Sequence, residues 1–199
     1  EEYNSHPFKC GKLMFMHNGM IGGIKDIRRG LLRTLNDTAY DAILGSTDSE
    51  HFFGLILNHI QDPYGDVTCD EMVYAMEQAL KDFSDLLLQH NIKSHSYLNF
   101  CLTNGTSIVA IRYTTNPHVQ PATLYYMFGK EYRCDGDTCY MVQSNSTPNC
   151  IVLASEPFTA RRPDWMKAER NSMLIIDETM RLRFKDIRLE VEEYMIEMV

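Results

Sequence analysis

Three short stretches decide how this chain is read: Asn4-Ser5-His6-Pro7-Phe8, then Leu13-Met14-Phe15-Met16-His17-Asn18-Gly19, then Ser46-Thr47-Asp48-Ser49-Glu50-His51. Each sets polar residues at the edge of an apolar segment, where a site can be assembled from separate elements. Leu13 to His17, bounded by Gly11-Lys12 and Asn18-Gly19, reads as a buried strand. Asn and Gly both tolerate positive φ, so the pair taken alone is better explained as a tight hairpin turn than as chemistry.

Working outward, Ile24, Ile27, Leu31 and Leu35 have the spacing of an amphipathic helix, with Arg28, Arg29 and Arg33 on its wet face. Thr47 and Glu50 fit a capping box. Asp48 falls in the first turn, where a carboxylate suits the helix dipole, so in isolation it is good helix punctuation. Phe52, Phe53, Ile56, Leu57 and Ile60 form the core-like face that follows. Pro63-Tyr64-Gly65-Asp66 is a turn. Thr68 and Glu71 make a second capping box, opening a long helix through Met72, Met76, Ala79, Leu80, Phe83 and Leu87. Its methionines are core filler.

After His95 the texture becomes strand-like. Tyr97–Thr103 and Ser107–Tyr113 form a hairpin about Asn104-Gly105, followed by strands over Ala122–Phe128, Cys150–Ala154, Ser172–Asp177 and Arg181–Phe184. Asp135-Gly136-Asp137 and Ser144–Asn149 read as loops, and Ile187–Val199 as either strand or helix. The order predicts an α+β fold, a sheet or sandwich covered by helices, in a single domain spanning 1–199.

Composition narrows the function. With 199 residues, 44% of them hydrophobic, the chain can bury a sizeable core. A net charge of −8 with no basic stripe argues against nucleic acid. No apolar run approaches the roughly 20 residues of a membrane span. Six cysteines without CxxC spacing argue against a zinc site and fit reduced cytosolic thiols, although Cys134 and Cys139 flank Asp-Gly and could pair across a turn. No cofactor or metal is expected, and a cytoplasmic location is.

Asn104-Gly105 has neither His-Pro upstream nor Thr-Asp-Ser-Glu downstream; Asn18-Gly19 has both. Asn4-x-His6-Pro7, Phe15-Met16-His17-Asn18-Gly19-x-Ile21 and Thr47-Asp48-Ser49-Glu50 together resemble the glutaminase domain of class II glutamine amidotransferases. These are N-terminal-nucleophile (Ntn) hydrolases with a four-layer αββα sandwich. Ala154-Ser155-Glu156-Pro157-Phe158 before Trp165 extends the resemblance to the branch containing the fungal glutathione-degradation subunit.

That resemblance implies a nucleophile, an amino-terminal cysteine whose own α-amino group is the base, with an amine pKa of about 8 suited to the task. It implies that Asn18, through its side-chain amide, and Gly19, through its backbone N–H, donate to the oxyanion. Asp48 would bind the α-ammonium of a small-molecule γ-glutamyl substrate, and His6 would shape the pocket wall. The family's arginine clamp lies just before His-Pro. Arg28 and the later arginines are on the wrong side of His6 for it.

The chain opens Glu1-Glu2-Tyr3, so no residue in it is the terminal cysteine, and Cys10 carries no terminal amine. The expectation is therefore an amino-terminally truncated fragment, lacking its first strands and inactive alone, whose complete form hydrolyses glutamine, glutathione or a γ-glutamyl conjugate. In the glutathione-degrading branch the partner subunit is a metallopeptidase. The alternative is a catalytically inactive relative acting as a binding or regulatory subunit.

Overall fold

The computed structural model describes residues 4–136, 138–143, 148–159, 164–191 and 193. Strand β1 (Phe8–Cys10) turns back into β2 (Leu13–Met20). Four helices follow: α1 (Ile24–Thr34), α2 (Asp37–Asp41), α3 (Asp48–Leu57) and α4 (Cys69–Gln89). The rest is strand: β3 (Tyr97–Thr103), β4 (Ile108–Thr114), β5 (Tyr125–Gly129), β6 (Glu131–Asp135), β7 (Thr138–Val142), β8 (Cys150–Ala154), β9 (Met166–Lys167), β10 (Ser172–Ile176) and β11 (Leu182–Asp186).

Six strands make one antiparallel sheet in the order β1-β2-β3-β4-β10-β11. Alternation along each strand gives this sheet two working faces. Leu13, Phe15, Leu98, Phe100, Val109, Ile111, Met173 and Ile175 meet the helices in one core. Ala110, Leu174 and Ile176 meet Leu124, Tyr126 and Ala168 of the second layer, a sheet ordered β8-β5-β9. The described residues thus stack helices on sheet on sheet.

Aromatic rings tie the helices to the strands that carry the polar motifs. Phe15 stacks on Phe53 at 5.3 Å between centroids, and Phe100 packs 5.0 Å from Phe15 and 4.4 Å from Phe52. Each fully buried Phe contributes about 1.5–3 kcal/mol, so this cluster is a large fixed investment in one relative placement of α3 and β2. Every residue of α3 from Ser49 to Leu57 is buried, which is the signature of a helix enclosed on all sides.

Several expectations are corrected. Asn18-Gly19 is not a turn: β2 continues through it, with Asn18 paired to Asn99 and Gly19 to Leu98. The glycine is required by close approach, since a Cβ at Gly19 would overlap the Tyr97 carbonyl oxygen. Asn104-Gly105 is the true hairpin turn, with Gly105 at φ +92° and Asn104 Oδ1 accepting from the Thr106 and Ser107 amides.

The Thr47–Glu50 capping box is only half made. Thr47 Oγ1 accepts the Glu50 N–H, but the buried Glu50 carboxylate turns to the Leu44 and Gly45 amides instead. At Thr68–Glu71 both halves form.

The short elements β1, α2, β6, β7 and β9 escaped the sequence reading. Cys134 and Cys139 are disulfide-bonded across the β6–β7 hairpin, correcting the expectation of reduced thiols at that pair. Of the loop expected over 135–137, Asp135 ends β6 and Gly136 turns at φ +59°, while residue 137 lies outside the described residues. Residues 144–147, within the loop expected over 144–149, lie outside them too, as does most of the ambiguous carboxyl end, where Glu190 and Val191 are helical.

Candidate active site

Four hydrogen bonds stitch the three diagnostic stretches together. Asn4 Oδ1 accepts the Ser46 N–H at 2.9 Å, docking the first stretch on the third. The His17 N–H donates to His6 Nε2 at 3.3 Å, docking the first on the second. His17 Nδ1 lies 2.9 Å from Ser49 Oγ, and the Ile21 N–H donates to Asp48 Oδ2 at 3.1 Å. The last two join the end of β2 to the start of α3.

His17 is buried on the helix-facing side of β2, edge-on to Phe100 at 4.8 Å. Its Nε2 is 3.0 Å from the Tyr97 carbonyl. A carbonyl only accepts, so Nε2 carries the proton and Nδ1 of the neutral ring accepts from Ser49. The Ser49 hydroxyl is also 3.2 Å from Asp48 Oδ1, so its one hydrogen faces two acceptors. Burial lowers the proton affinity of His17, against the opposing pull of the Tyr97 carbonyl and the Asp48 charge. Partial desolvation lowers that of His6 as well, with Asp48 again opposing.

Asp48 is half-buried at the first position of α3, behind the Thr47 cap. Oδ1 accepts from the Ser49 N–H at 2.8 Å and lies 3.2 Å from its hydroxyl, and Oδ2 accepts from Ile21. A carboxylate has about four lone-pair positions, so roughly one, on Oδ2, stays open for a cation.

Asn18 points the other way from His17, as strand alternation demands, and is exposed. Among the described residues its amide has no hydrogen-bond partner. It stands at a cavity of about 230 Å³ between the two sheets, lined also by His6, Met16, Asn99, Cys101, Leu124 and Leu153. Asn99 and Cys101 follow from the register, which sets them opposite Asn18 and Met16. Burial pushes the Cys101 thiol up to about 11, leaving it protonated and unreactive near neutrality. Cys10 is buried under the helices and is shifted upward by burial too.

The model of the family described as "Glutamine amidotransferases class-II" matches residues 1–190. The chain belongs to the class-II glutamine amidotransferases. It is 33% identical over 187 residues to the probable glutamine amidotransferase DUG3 of Saccharomyces cerevisiae, an alignment covering 88% of this chain and 52% of that protein. The chain thus spans about half the length of that curated relative. Among solved structures, a glutamine aminotransferase class-II domain protein from Silicibacter pomeroyi superposes with a TM-score of 0.67 at 26% identity, over 92% of this chain and 71% of that one. A predicted glutamine amidotransferase from Pseudomonas aeruginosa shares the fold, with a TM-score of 0.58 at 18% identity over 92% and 66% of the two chains.

The α+β sandwich of this class-II amidotransferase is the Ntn-hydrolase type expected from its sequence. Asp48 is tied to Ile21 just past the end of β2, whereas Asn18 opens on the cavity between the sheets, and among the described residues no hydrogen bond joins Asp48 to Asn18 or Gly19. Ser49 lies between Asp48 and His17, the Tyr97 carbonyl lies against Gly19, and Asn99 is paired with Asn18; none of these four neighbours has a role legible in the sequence. In the sequence His17 is simply the neighbour of Asn18, and Tyr97, Asn99 and Cys101 read as ordinary strand. A period of two applied to both strands, had their register been known, would have put Asn99 beside Asn18.

Proposed function

We propose that this chain carries the oxyanion-stabilising and ammonium-binding parts of a site that hydrolyses a γ-glutamyl amide bond. The substrate α-ammonium sits on the open side of Asp48 Oδ2. The scissile carbonyl lies against Asn18 Nδ2 and the Gly19 N–H, which donate to the oxyanion as the tetrahedral intermediate forms. His6 forms the wall between them. The observation that carries this reading is the Ile21–Asp48 hydrogen bond, which ties the acid to the strand end three residues beyond Asn18.

The nucleophile of this reaction is an amino-terminal cysteine outside the 199 residues, with its own α-amine as base. Glutamine, glutathione and γ-glutamyl conjugates share the end that Asp48 grips. The 33% identity with DUG3, a probable glutamine amidotransferase, supports the amide chemistry. A metallopeptidase subunit is the partner proposed for the complete protein.

The test is glutamate release by the complete protein from glutamine, glutathione and a γ-glutamyl amine, with and without that partner. Asn18→Ala should lower kcat on the order of 10²-fold, the usual loss for one oxyanion donor. Release by the 199-residue chain alone would overturn the external nucleophile. No release by the complete protein from any of the three would make it a binding or regulatory relative.

A further inference from the structure

Asn99 combines two observations that the site described above leaves unused. It is 5% exposed, on the cavity-facing side of β3, and its Nδ2 donates to the Thr123 carbonyl at 2.8 Å. That bond fixes the amide plane, and with it the side to which Oδ1 points. Oδ1 is sealed from solvent and accepts no hydrogen bond. An orphaned buried acceptor is rare, because it forfeits its hydration without compensation.

The side chain directly across the β-ladder is that of Asn18, which lines the same cavity. Directly opposed residues hold their Cβ atoms about 4.5–5.5 Å apart, within reach of each other's side-chain amides. The Asn18 amide in turn has two N–H donors and, among the described residues, no partner for either. The two amides are not hydrogen-bonded to each other as placed, but the register makes Asn18 the side-chain donor directly across from this buried acceptor.

We propose that Asn99 is the positioning residue for Asn18: its Oδ1 accepts one Nδ2–H of Asn18, leaving the second N–H aimed at the substrate carbonyl. This rests on the hydrolase reading above. An oxyanion donor is useful only if it is held in place before charge develops, since a donor that must reorient loses much of its effect. A side-chain amide is prone to that failure: a half-turn about its last bond presents the carbonyl oxygen, which repels the oxyanion. An acceptor placed against one N–H excludes the wrong orientation. The cross-strand pairing supplies that acceptor from a rigid neighbouring strand rather than a loop.

The test is a double-mutant cycle in the complete protein, reading glutamate release. Asn99→Leu keeps the shape and removes the acceptor. The expected result is a fall in kcat on the order of 10-fold with KM within about 2-fold, because the interaction matters only in the transition state. In the Asn18→Ala background the same substitution should change kcat by less than about 2-fold. An equal loss in both backgrounds, or a loss confined to KM, would overturn the assignment to Asn99 while leaving the hydrolase reading intact. If Asn99→Leu does not fold, Asn99→Ala replaces it in the same cycle. Should Asn18→Ala be as fast as the parent, both the hydrolase reading and the role of Asn99 fall.

Discussion

Asp48 Oδ2 accepts the Ile21 backbone N–H at 3.1 Å across 27 residues of sequence. Through this bond the first turn of α3 and the end of β2 hold a fixed spacing, and a carboxylate that caps nothing beyond its own turn faces the motif-bearing strand. Asp48→Asn keeps one acceptor oxygen, enough for the Ile21 or the Ser49 N–H but not both, and removes the charge. In the complete protein it should raise KM for glutamine by roughly 10- to 100-fold, as expected for a lost partner of a desolvated ammonium, with a smaller change in kcat. Steady-state kinetics check this. A KM that stays within a factor of two would detach Asp48 from the ammonium.

Gly19 lies under the Tyr97 carbonyl, with no room for a methyl group. Gly19→Ala should therefore push β2 and β3 apart and destabilise the chain by about 1–3 kcal/mol, the usual cost of overpacking. Gly105→Ala offers a contrast: nothing lies within 4 Å of its missing Cβ, and the strain there comes from φ +92° alone. Urea unfolding of both variants separates crowding from backbone strain, since only the first should also shift the Asn18 backbone resonances.

Burial lowers the proton affinity of His6, His17 and His51, overriding in the last case the bond from Nδ1 to the Thr47 carbonyl at 2.6 Å. All three hold a proton less readily folded than unfolded. The unfolded chain therefore binds more protons once pH falls below the ordinary histidine value of about 6.5. The stability these groups contribute is fully present above that pH and is lost as pH drops through their lower folded values. Urea midpoints should fall between pH 7.5 and 5.5, and His17→Gln should flatten that fall. A slope of the opposite sign would contradict the burial of these rings.

The disulfide leaves Cys10, Cys69, Cys101 and Cys150 as thiols. Thiol titration of the 199-residue chain unfolded without reductant should count four of its six cysteines. Closing so short a loop restricts the unfolded chain only modestly, so Cys134→Ser should cost at most about 2 kcal/mol. Six titratable thiols would mean the pair is not bonded.

The long amphipathic helices were legible because their caps and apolar stripes are local: Thr68, Glu71 and the Met72–Leu87 face need no knowledge of the rest of the chain. The β3–β4 hairpin was legible for the same reason, through Asn104 and Gly105. Asn18-Gly19 defeated local reasoning, because the same dipeptide serves as a turn at one place and as mid-strand residues at another. What separates them is whether a neighbouring strand presses on the glycine, and at Gly19 the Tyr97 carbonyl does. Glu50 failed similarly: its spacing from Thr47 fits a capping box, yet the backbone N–H groups of Leu44 and Gly45 hold its carboxylate.

By itself the sequence determined the class of fold, its family, and the three polar stretches at the margins of apolar segments. Those depend on periodicity and residue chemistry, which are written along the chain. Only the tertiary structure decided that Asp48 sits beside the end of β2, that Asn99 faces Asn18, and that Cys101 enters the cavity as an unreactive thiol. Each of those depends on strand register and on which groups lose water together, and register is a relation between segments some 80 residues apart rather than a property of either one.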